Sequence, residues 1–315
     1  MNFIIDIYKK NFLKRFDKDE NIPYYSAEDF PGLICERGEF QNSDNITIKY
    51  FTYSYENQKE DKLILFCPGM GPGHSAYLAE IETFCKAGYK VLTLDYTGCG
   101  ESGGTTMPSV NAPTKDATEL LNKIKQETEN KTEQTIKLTK AQQIIPIGHS
   151  LGGYTALNLI NENPEITKAV IISGFVSISD ELMGYVKLRP LADIVRRFEK
   201  KQNPGFKDDN KTYIKTTTDK LLWIHSTDDP MANYKYNAGQ VEKANNSNIK
   251  LIKTENKKHN PNYTKEALEN MTKWLGEYGS LTDPEAKKTF FSDKPITQMT
   301  AQDPEIFTEI LNFID

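Results

Sequence analysis

Short apolar runs recur along the chain, and the segments between them carry apolar residues at helical spacing. Runs of four mostly apolar residues predict buried β-strands at residues 63–66, 91–94, 144–147, 169–172, 221–224 and 249–252. Helical spacing predicts helices between most of these strands, at residues 77–87, 117–126, 151–161, 238–244 and 263–274. Because strands that alternate with helices form a parallel sheet covered on both faces, the pattern predicts an α/β fold with a mainly parallel central sheet flanked by helices.

Two early segments differ from this alternation. Residues 47–53 alternate polar and apolar side chains, which predicts a half-exposed antiparallel strand at the edge of the sheet. Residues 1–30 begin with apolar side chains at near-helical spacing, which predicts an amphipathic helix packed on the core. Its apolar positions are Ile5, Tyr8, Phe12 and Phe16. A weaker alternative is contact with a membrane surface through the basic residues Lys9, Lys10, Lys14 and Arg15.

One connection is longer than an ordinary loop. About 45 residues separate the strand that ends near Ser173 from the strand that begins at Leu221. We therefore expect a small helical cap at residues 175–219, inserted into a core formed by residues 31–174 and 220–315. Within the cap, one helix face carries the apolar residues Leu191, Ile194, Val195 and Phe198, which we expect to line a pocket. The lysines and arginines beside them predict a charged, solvent-facing side, or alternatively a surface that recruits an anionic substrate.

Composition narrows the classes of protein that the chain can belong to. Hydrophobic residues make up 37% and charged residues 26%, and no apolar run approaches the roughly 20 residues that span a bilayer, which argues against integral membrane association. A net charge of −5 argues against nucleic acid as a partner. The first residues lack the layout of a secretory signal, so a cytoplasmic location is predicted. The sequence indicates no oligomeric state.

The four cysteines are Cys35, Cys67, Cys85 and Cys99. They lack C-x-x-C spacing, and three of them lie in apolar or glycine-rich surroundings. Reduced thiols suit such surroundings, so we expect neither disulfides nor a bound metal.

Residues 144–153 place Ser150 between a short apolar strand and the start of an apolar helix. The spacing is G-x-S-x-G, in which a sharp strand-to-helix turn lifts the serine hydroxyl above the sheet. A second match surrounds Ser102, but the residues after it run to Pro108 without the start of a helix. The strand, turn and helix context therefore favours Ser150 as a candidate nucleophile.

A serine nucleophile needs a histidine that accepts its proton. The chain has four histidines. His149 lies in the same turn as Ser150, His225 ends a predicted strand, and His74 belongs to a glycine-rich loop. His259 lies in a loop between the last predicted strand and a helix, and it is the candidate base.

The histidine in turn needs an acid that orients it. Asp228 and Asp229 both follow the predicted strand at residues 221–225, at the end where parallel sheets carry their chemistry. Asp229 is favoured because Pro230 stiffens the turn after it and because it lies three residues beyond the strand end at Ser226. Asp228 remains the alternative.

The chain order of Ser150, Asp229 and His259 is that of the α/β-hydrolases. Over residues 45–315 the sequence resembles this superfamily, in particular its small-cap esterase, lysophospholipase and aminopeptidase-like branch. The resemblance is carried by residues 67–74, 95–102, 148–152 and 259–261 and by Asp229.

This resemblance implies a serine hydrolase without a cofactor or a metal. The backbone amides of Met70 and Leu151 match the positions that hold the oxyanion in this family. The implied reaction is cleavage of a small or medium carboxylic ester, a small-molecule acyl substrate, through an acyl-enzyme; amides, thioesters and lysolipids are further substrate classes. Two positions depart from the family pattern: Thr97 replaces an arginine, and Ser226 replaces a glycine.

Two other interpretations follow from the residues. Residues 98–103 match the G-x-G-x-x-G pattern of dinucleotide-binding proteins, but no helix begins within the glycine turn, so a nicotinamide cofactor is not expected. A non-catalytic binding protein on the same fold is the remaining alternative, because a fold does not determine a function.

Overall fold

The computed structural model describes residues 2–59, 61–130, 143–203 and 210–315. These residues form one sheet of eight strands. The strands are β1 (Ile34–Gln41), β2 (Thr47–Ser54), β3 (Lys62–Cys67), β4 (Lys90–Leu94), β5 (Gln143–His149), β6 (Lys168–Ile172), β7 (Lys220–Ser226) and β8 (Ile249–Thr254). Their order is β1-β2-β4-β3-β5-β6-β7-β8. Strands β3 to β8 pair in parallel, whereas β2 is antiparallel to both β1 and β4.

Helices cover both faces of this sheet. They are α1 (Asn2–Phe12), α2 (Leu78–Lys86), α3 (Ala112–Asn130), α4 (Leu151–Glu162), α5 (Ile178–Val186), α6 (Arg189–Gln202), α7 (Lys211–Thr216), α8 (Ala238–Ala244), α9 (Lys265–Ser280), α10 (Pro284–Thr289), α11 (Thr297–Thr300) and α12 (Pro304–Ile314). Alternate residues of β3 point to opposite faces: Leu63 and Leu65 pack with α3 and α4, whereas Ile64 and Phe66 pack with α2 and α12. The predicted α/β fold with a mainly parallel sheet is confirmed.

The prediction that residues 47–53 form an edge strand of the sheet is wrong. Strand β2 lies between β1 and β4, and most of its residues are buried, so it is an interior strand. Strand β1, which the apolar pattern did not reveal, forms this edge, and β8 forms the other. At the N-terminus the helix ends at Phe12, and Phe16 instead pairs as an isolated bridge with Cys99. The polar sequence at residues 127–140 predicts a solvated helix end followed by a loop; α3 continues to Asn130, and the rest of this segment lies outside the described residues.

The connection between β6 and β7 contains α5, α6 and α7. These helices lie within the insertion expected at residues 175–219. That this insertion is a separate cap with those boundaries stays a prediction. Helix α1 packs against α6, and the buried hydroxyl of Tyr8 donates a hydrogen bond to Glu199 Oε1 at 2.7 Å. The N-terminal helix therefore packs against the inserted helices as well as against the core. In the four described ranges, every helix is too short or too polar to cross a bilayer.

Candidate active site

Ser150 occupies a strained turn between β5 and α4. Its φ of 57° and ψ of −120° are costly for any residue other than glycine. The Ser150 amide donates to the carbonyl of Ile172 at 2.9 Å, which ties the turn to the neighbouring strand. A Cβ on Gly148 would lie 2.0 Å from the Gly152 carbonyl oxygen, and a Cβ on Gly152 would lie 1.8 Å from that of Cys67. The two glycines of the motif are therefore required by the packing of this turn.

Ser102, at the second match to the motif, is placed quite differently. It is buried, its Oγ donates to the carbonyl of Asp95 at 2.6 Å, and it accepts from the amide of Lys49 at 2.8 Å. Both partners are backbone groups, so this hydroxyl joins β2 to the loop after β4.

His259 is paired with a buried carboxylate. Its Nδ1 lies 2.8 Å from Asp229 Oδ2 and 3.1 Å from Oδ1. Asp229 Oδ1 also accepts from the amides of Met231 and Ala232, at 2.8 and 2.9 Å. These amides hold the carboxylate in one orientation. They also stabilise its negative charge, because Asp229 is buried away from water. Asp228 instead accepts from the Ser226 hydroxyl and the Lys258 amide, so the structure brings Asp229 and not Asp228 to the histidine.

The loop that carries His259 is bonded to the turn that carries Ser150. His149 Nε2 lies 2.8 Å from the carbonyl oxygen of His259, and the two imidazole rings are 4.8 Å apart. Within the described ranges no hydrogen bond joins Ser150 Oγ to the ring of His259. Such bonds often form fully only in the complex with substrate. The backbone of the candidate base is thus fixed beside the candidate nucleophile.

His149 also contacts the loop after β3. Burial, with a further contribution from the neighbouring His259, lowers the pKa of His149 to about 3, so its ring is neutral at physiological pH. Nε2–H donates to the His259 carbonyl, which leaves Nδ1 to accept from the Tyr77 hydroxyl at 3.0 Å. A Cβ on Gly69 would lie 2.3 Å from that hydroxyl oxygen and 3.4 Å from Ser150 Cβ. The sequence placed His149 in the turn beside Ser150, but it did not indicate that His149 bridges His259 and Tyr77.

Met70 and Leu151, the expected oxyanion-binding positions, line one cleft with Ser150. Met70 follows Gly69, and Leu151 is the first residue of α4. Neither amide donates a hydrogen bond to another group among the residues that the structure describes. Both are therefore available to an oxygen atom bound in the cleft.

The cleft is narrow and partly open to solvent, and about 70 Å³ of it can hold the centre of a water-sized sphere. It is lined by Tyr8, Phe12, Met70, Val110, Ser150, Leu151, Phe175, Ile178, Glu181, Leu182, Tyr185 and Met231. The inserted helices contribute through α5, and α1 contributes Tyr8 and Phe12. The expectation that Leu191, Ile194, Val195 and Phe198 line the pocket is wrong. Those residues belong to α6, which packs against α1 and α5, as the 6.2 Å separation of the Phe198 and Tyr8 rings illustrates.

Glu181 is the one acidic side chain among the residues that line this cleft. Its Oε2 accepts from Asn237 Nδ2 at 2.7 Å. Burial raises the pKa of Glu181 to about 8, and the negative charge of Asp229 acts in the same direction. The carboxyl group is therefore largely protonated at neutral pH. Sequence reasoning missed it because no helix was predicted at residues 178–186 and because its partner Asn237 lies far away in the sequence.

The structure explains both departures from the expected family pattern. At the first, the Thr97 amide and hydroxyl donate to Asp116, at 2.7 and 3.2 Å. Burial raises the pKa of Asp116 to about 6. A guanidinium reaches the same loop from elsewhere in the chain: Arg15 donates to the carbonyls of Gly100, Ser102 and Gly104. At the second, the Ser226 hydroxyl donates to Asp228, which draws that carboxylate away from His259.

The protein's own atoms occupy the space beside the glycines of the loop after β4. A Cβ on Gly98 would lie 2.4 Å from the backbone of Thr106, and one on Gly100 would lie 2.3 Å from Asp95 Oδ2. The next helix, α3, begins only at Ala112, so this loop has no helix N-terminus for a pyrophosphate. Across the described part of the chain, no three His, Cys, Asp or Glu side chains converge as metal ligands would.

The sequence matches the family model described as serine aminopeptidase, S33, over residues 58–221. This match spans more than half of the chain, so the protein belongs to that family, and it is an α/β-hydrolase enzyme. The resemblance seen in the motifs is confirmed. No curated protein matches the sequence.

Solved structures with the same fold include several hydrolases. An esterase from Pyrococcus furiosus is 20% identical with a TM-score of 0.58, and the match covers 89% of this chain and 98% of that one. Est1E from Butyrivibrio proteoclasticus, solved with ferulic acid bound, is 17% identical with a TM-score of 0.54, covering 82% and 99%. The α/β-hydrolase GrgF from Penicillium sp. is 13% identical with a TM-score of 0.51, covering 72% and 91%. At these identities the likeness establishes the fold alone.

Proposed function

We propose that the protein is a serine hydrolase that cleaves small or medium carboxylic esters through an acyl-enzyme intermediate. Ser150 is the nucleophile, His259 the general base and Asp229 the acid that orients it. The observation that carries the proposal is that Ser150 lies in an apolar cleft, and that the residue before it is hydrogen-bonded to the backbone of a histidine whose ring is paired with a buried, doubly hydrogen-bonded aspartate.

The reaction has two halves. Ser150 Oγ attacks the ester carbonyl while His259 Nε2 takes the hydroxyl proton, and His259 then gives this proton to the departing alcohol. Water attacks the acyl-enzyme in the same way and releases the acid and free Ser150. Asp229 accepts the Nδ1–H of His259 throughout, which keeps Nε2 directed at the reacting atoms and stabilises the imidazolium.

The amides of Met70 and Leu151 bind the oxyanion that forms in each half. Such donors each contribute on the order of 3 kcal/mol to stabilisation of the transition state, because they are oriented before the charge develops. The strained backbone of Ser150 and the exclusion of side chains at Gly148 and Gly152 support this assignment, since they bring the turn close to the loop that carries Met70.

The apolar lining of the cleft supports an ester with a hydrocarbon acyl group. Tyr8, Phe12, Phe175, Ile178 and Leu182 surround the space above Ser150. Removing such an acyl group from water is favourable by about 0.8 kcal/mol for each buried methylene. The structural neighbour from Pyrococcus furiosus is described as an esterase, which is consistent with this substrate class.

Hydrolysis of amides is the second candidate. It is favoured by the description of the family as a serine aminopeptidase and by Glu181, a carboxyl group inside the cleft whose carbonyl oxygen can accept a hydrogen bond from a substrate ammonium group. A thioester would be cleaved by the same three residues. The cytoplasmic location stays a prediction of the sequence.

Labelling with a fluorophosphonate probe tests the nucleophile. We expect stoichiometric labelling of the intact protein and none of Ser150→Ala, with Ser102→Ala labelled as the original protein is. Equal labelling of Ser150→Ala would refute the assignment, and no labelling of the intact protein would favour the non-catalytic binding protein.

Rates with p-nitrophenyl esters of increasing chain length, compared with aminoacyl p-nitroanilides, test the substrate class. We expect kcat/KM for the esters to rise with acyl length until the cleft is filled. Brisk cleavage of the anilides without turnover of any ester would replace the ester proposal with the amide one.

A further inference from the structure

Glu181 has one carboxyl oxygen that the protein itself does not bind. Its Oε2 accepts a hydrogen bond from Asn237 Nδ2 at 2.7 Å, whereas Oε1 has no hydrogen-bond partner among the residues that the structure describes. The side chain lines the cleft together with Ile178, Leu182 and Tyr185 of the same helix. A polar atom in an apolar site is costly unless a partner is supplied to it. The free oxygen is therefore a binding position for a polar group of a ligand.

The hydrogen bonds of Asn237 decide which oxygen of Glu181 carries a proton. Asn237 is fully buried, its Oδ1 accepts from the Val176 amide at 3.4 Å, and its Nδ2 also donates to the Asn233 carbonyl at 3.1 Å. Because a backbone amide donates only to an acceptor, the Asn237 side chain is held with its NH₂ group toward Glu181. Oε2 of Glu181 is thus the acceptor, and in the neutral carboxyl group the hydrogen lies on Oε1.

The surroundings of Glu181 favour this neutral form. No lysine or arginine in the described part of the chain forms an ion pair with it, and the Asp229 carboxylate adds negative charge. Burial and this negative charge together raise the pKa of Glu181 to about 8. A neutral acid donates from Oε1, whereas a carboxylate only accepts. At neutral pH the side chain therefore presents a hydrogen-bond donor within a mainly apolar lining.

We propose that Glu181 selects an acyl group that carries an oxygen acceptor, such as a ketone oxygen, on an otherwise hydrocarbon chain. This inference rests on the proposed ester hydrolysis and names the class of acyl group that the cleft takes. A plain hydrocarbon chain removes water from the Oε1–H group and gives it no partner, whereas a chain with a suitably placed oxygen accepts its hydrogen bond. An ammonium group fits less well, because it only donates and would compete with Asn237 for Oε2.

Comparison of the p-nitrophenyl esters of hexanoate, 4-oxohexanoate and 5-oxohexanoate tests the selection, since the three acyl chains have the same length. Each kcat/KM is divided by the rate constant of the same ester with hydroxide, which removes differences in chemical reactivity. At pH 7 we expect the corrected kcat/KM of at least one oxo ester to exceed that of the hexanoate by about fivefold or more. This preference should be lost at pH 9, where the carboxylate no longer donates.

Three variants separate hydrogen bonding from shape. Glu181→Gln should keep most of the preference at both pH values, because its amide NH₂ donates into the cleft while its oxygen accepts from Asn237. Glu181→Met has nearly the same length and no donor, so it should lose the preference at both pH values. Ile178→Leu is the matched control. It alters an apolar side chain of the same cleft and should leave the preference unchanged, whatever its effect on the individual rates.

Several outcomes would overturn this role of Glu181. Turnover of the hexanoate ester without preference for either oxo ester would do so while the proposed function stands. A preference that persists in Glu181→Met would do so as well, because it would assign the selection to another group. Faster corrected turnover of the 6-aminohexanoate ester than of both oxo esters would replace the oxygen acceptor with an ammonium group.

A binding measurement keeps the test independent of turnover. If the intact protein cleaves none of these esters, the proposed function fails, and saturation-transfer NMR of the corresponding methyl esters decides the inference. Tighter binding of an oxo ester by Ser150→Ala, lost in Ser150→Ala/Glu181→Met, would support selection by Glu181. Equal binding of the three esters by Ser150→Ala would refute it.

Discussion

The imidazole of His149 donates a 2.8 Å hydrogen bond to the backbone carbonyl of His259. This bond joins the residue before the candidate nucleophile to the backbone of the candidate base. Because burial keeps the His149 ring neutral, its other nitrogen accepts from Tyr77, which contacts Gly69 in the loop that carries Met70. One ring therefore fixes the relative positions of three separate loops.

The first prediction concerns this ring. His149→Ala should lower kcat by roughly 10- to 100-fold with little change in KM, because the base and the nucleophile are misplaced by a fraction of an ångström while the cleft is intact. His149→Gln should recover part of kcat, since a glutamine amide can donate to the His259 carbonyl. Steady-state kinetics measure both, and thermal unfolding identifies any general loss of stability. An alanine variant with the original kcat would contradict the positioning role.

The second prediction separates the two adjacent aspartates. Asp229→Asn should lower kcat/KM by on the order of 10⁴-fold, because an amide in place of the carboxylate favours the wrong tautomer of His259. Asp228→Asn is the matched control: this carboxylate contacts the Ser226 hydroxyl and the Lys258 amide, so a change of less than about threefold is expected. A larger loss in Asp228→Asn would reverse the assignment.

The third prediction uses the carboxyl group in the cleft. Burial raises the pKa of Glu181 to about 8, so the group is neutral below this pH and becomes charged above it. The groups that face it are Asn237, the Asp229 carboxylate and Tyr185, and none of them supplies positive charge. The KM for esters with an apolar acyl chain should therefore rise as the pH increases from 7 to 9, because a carboxylate has then formed inside the apolar cleft.

Glu181→Gln is the control for this effect, since its neutral amide has nearly the same shape and does not ionise. Its KM should stay constant over the same pH interval, while kcat still follows the other titrating groups. Parallel KM curves for the variant and the original protein would show that Glu181 does not sense the acyl chain.

The sequence pattern predicted the interior of the sheet well and one of its edges poorly. Interior strands such as β3 are buried on both faces, so their sequences are continuous apolar runs. Strand β1 carries Glu36, Arg37 and Glu39 on a largely exposed surface, and its pairing with β2 depends on backbone hydrogen bonds that leave no mark in the order of side chains. Strand β2 alternates in sequence, yet Tyr50, Thr52 and Tyr53 are all buried by the rest of the fold.

The candidate site, too, could be predicted only where a local sequence pattern marks its residues. Ser150 could be predicted as a candidate because the turn demands glycines at fixed spacing, and Asp229 and His259 because each follows a recognisable strand. The cleft could not be found in this way, since Tyr8 and Phe12 come from the opposite end of the chain and Glu181 is held by the distant Asn237. Contacts of that kind depend on how helices pack, and the local pattern of α6 suggested the wrong lining.

The last prediction compares the two serines that share the G-x-S-x-G spacing. Ser102→Ala should lower the free energy of unfolding by about 1–3 kcal/mol, because the Lys49 amide and the Asp95 carbonyl each lose a buried hydrogen-bond partner. Its specific activity in the folded state should be unchanged. Ser150→Ala should do the opposite: its side chain makes no comparable bond among the described residues, so stability should stay within about 0.5 kcal/mol while esterase activity is lost. Denaturant unfolding and ester turnover measure the pair, and an active, stable Ser150→Ala beside an inactive, stable Ser102→Ala would exchange their roles.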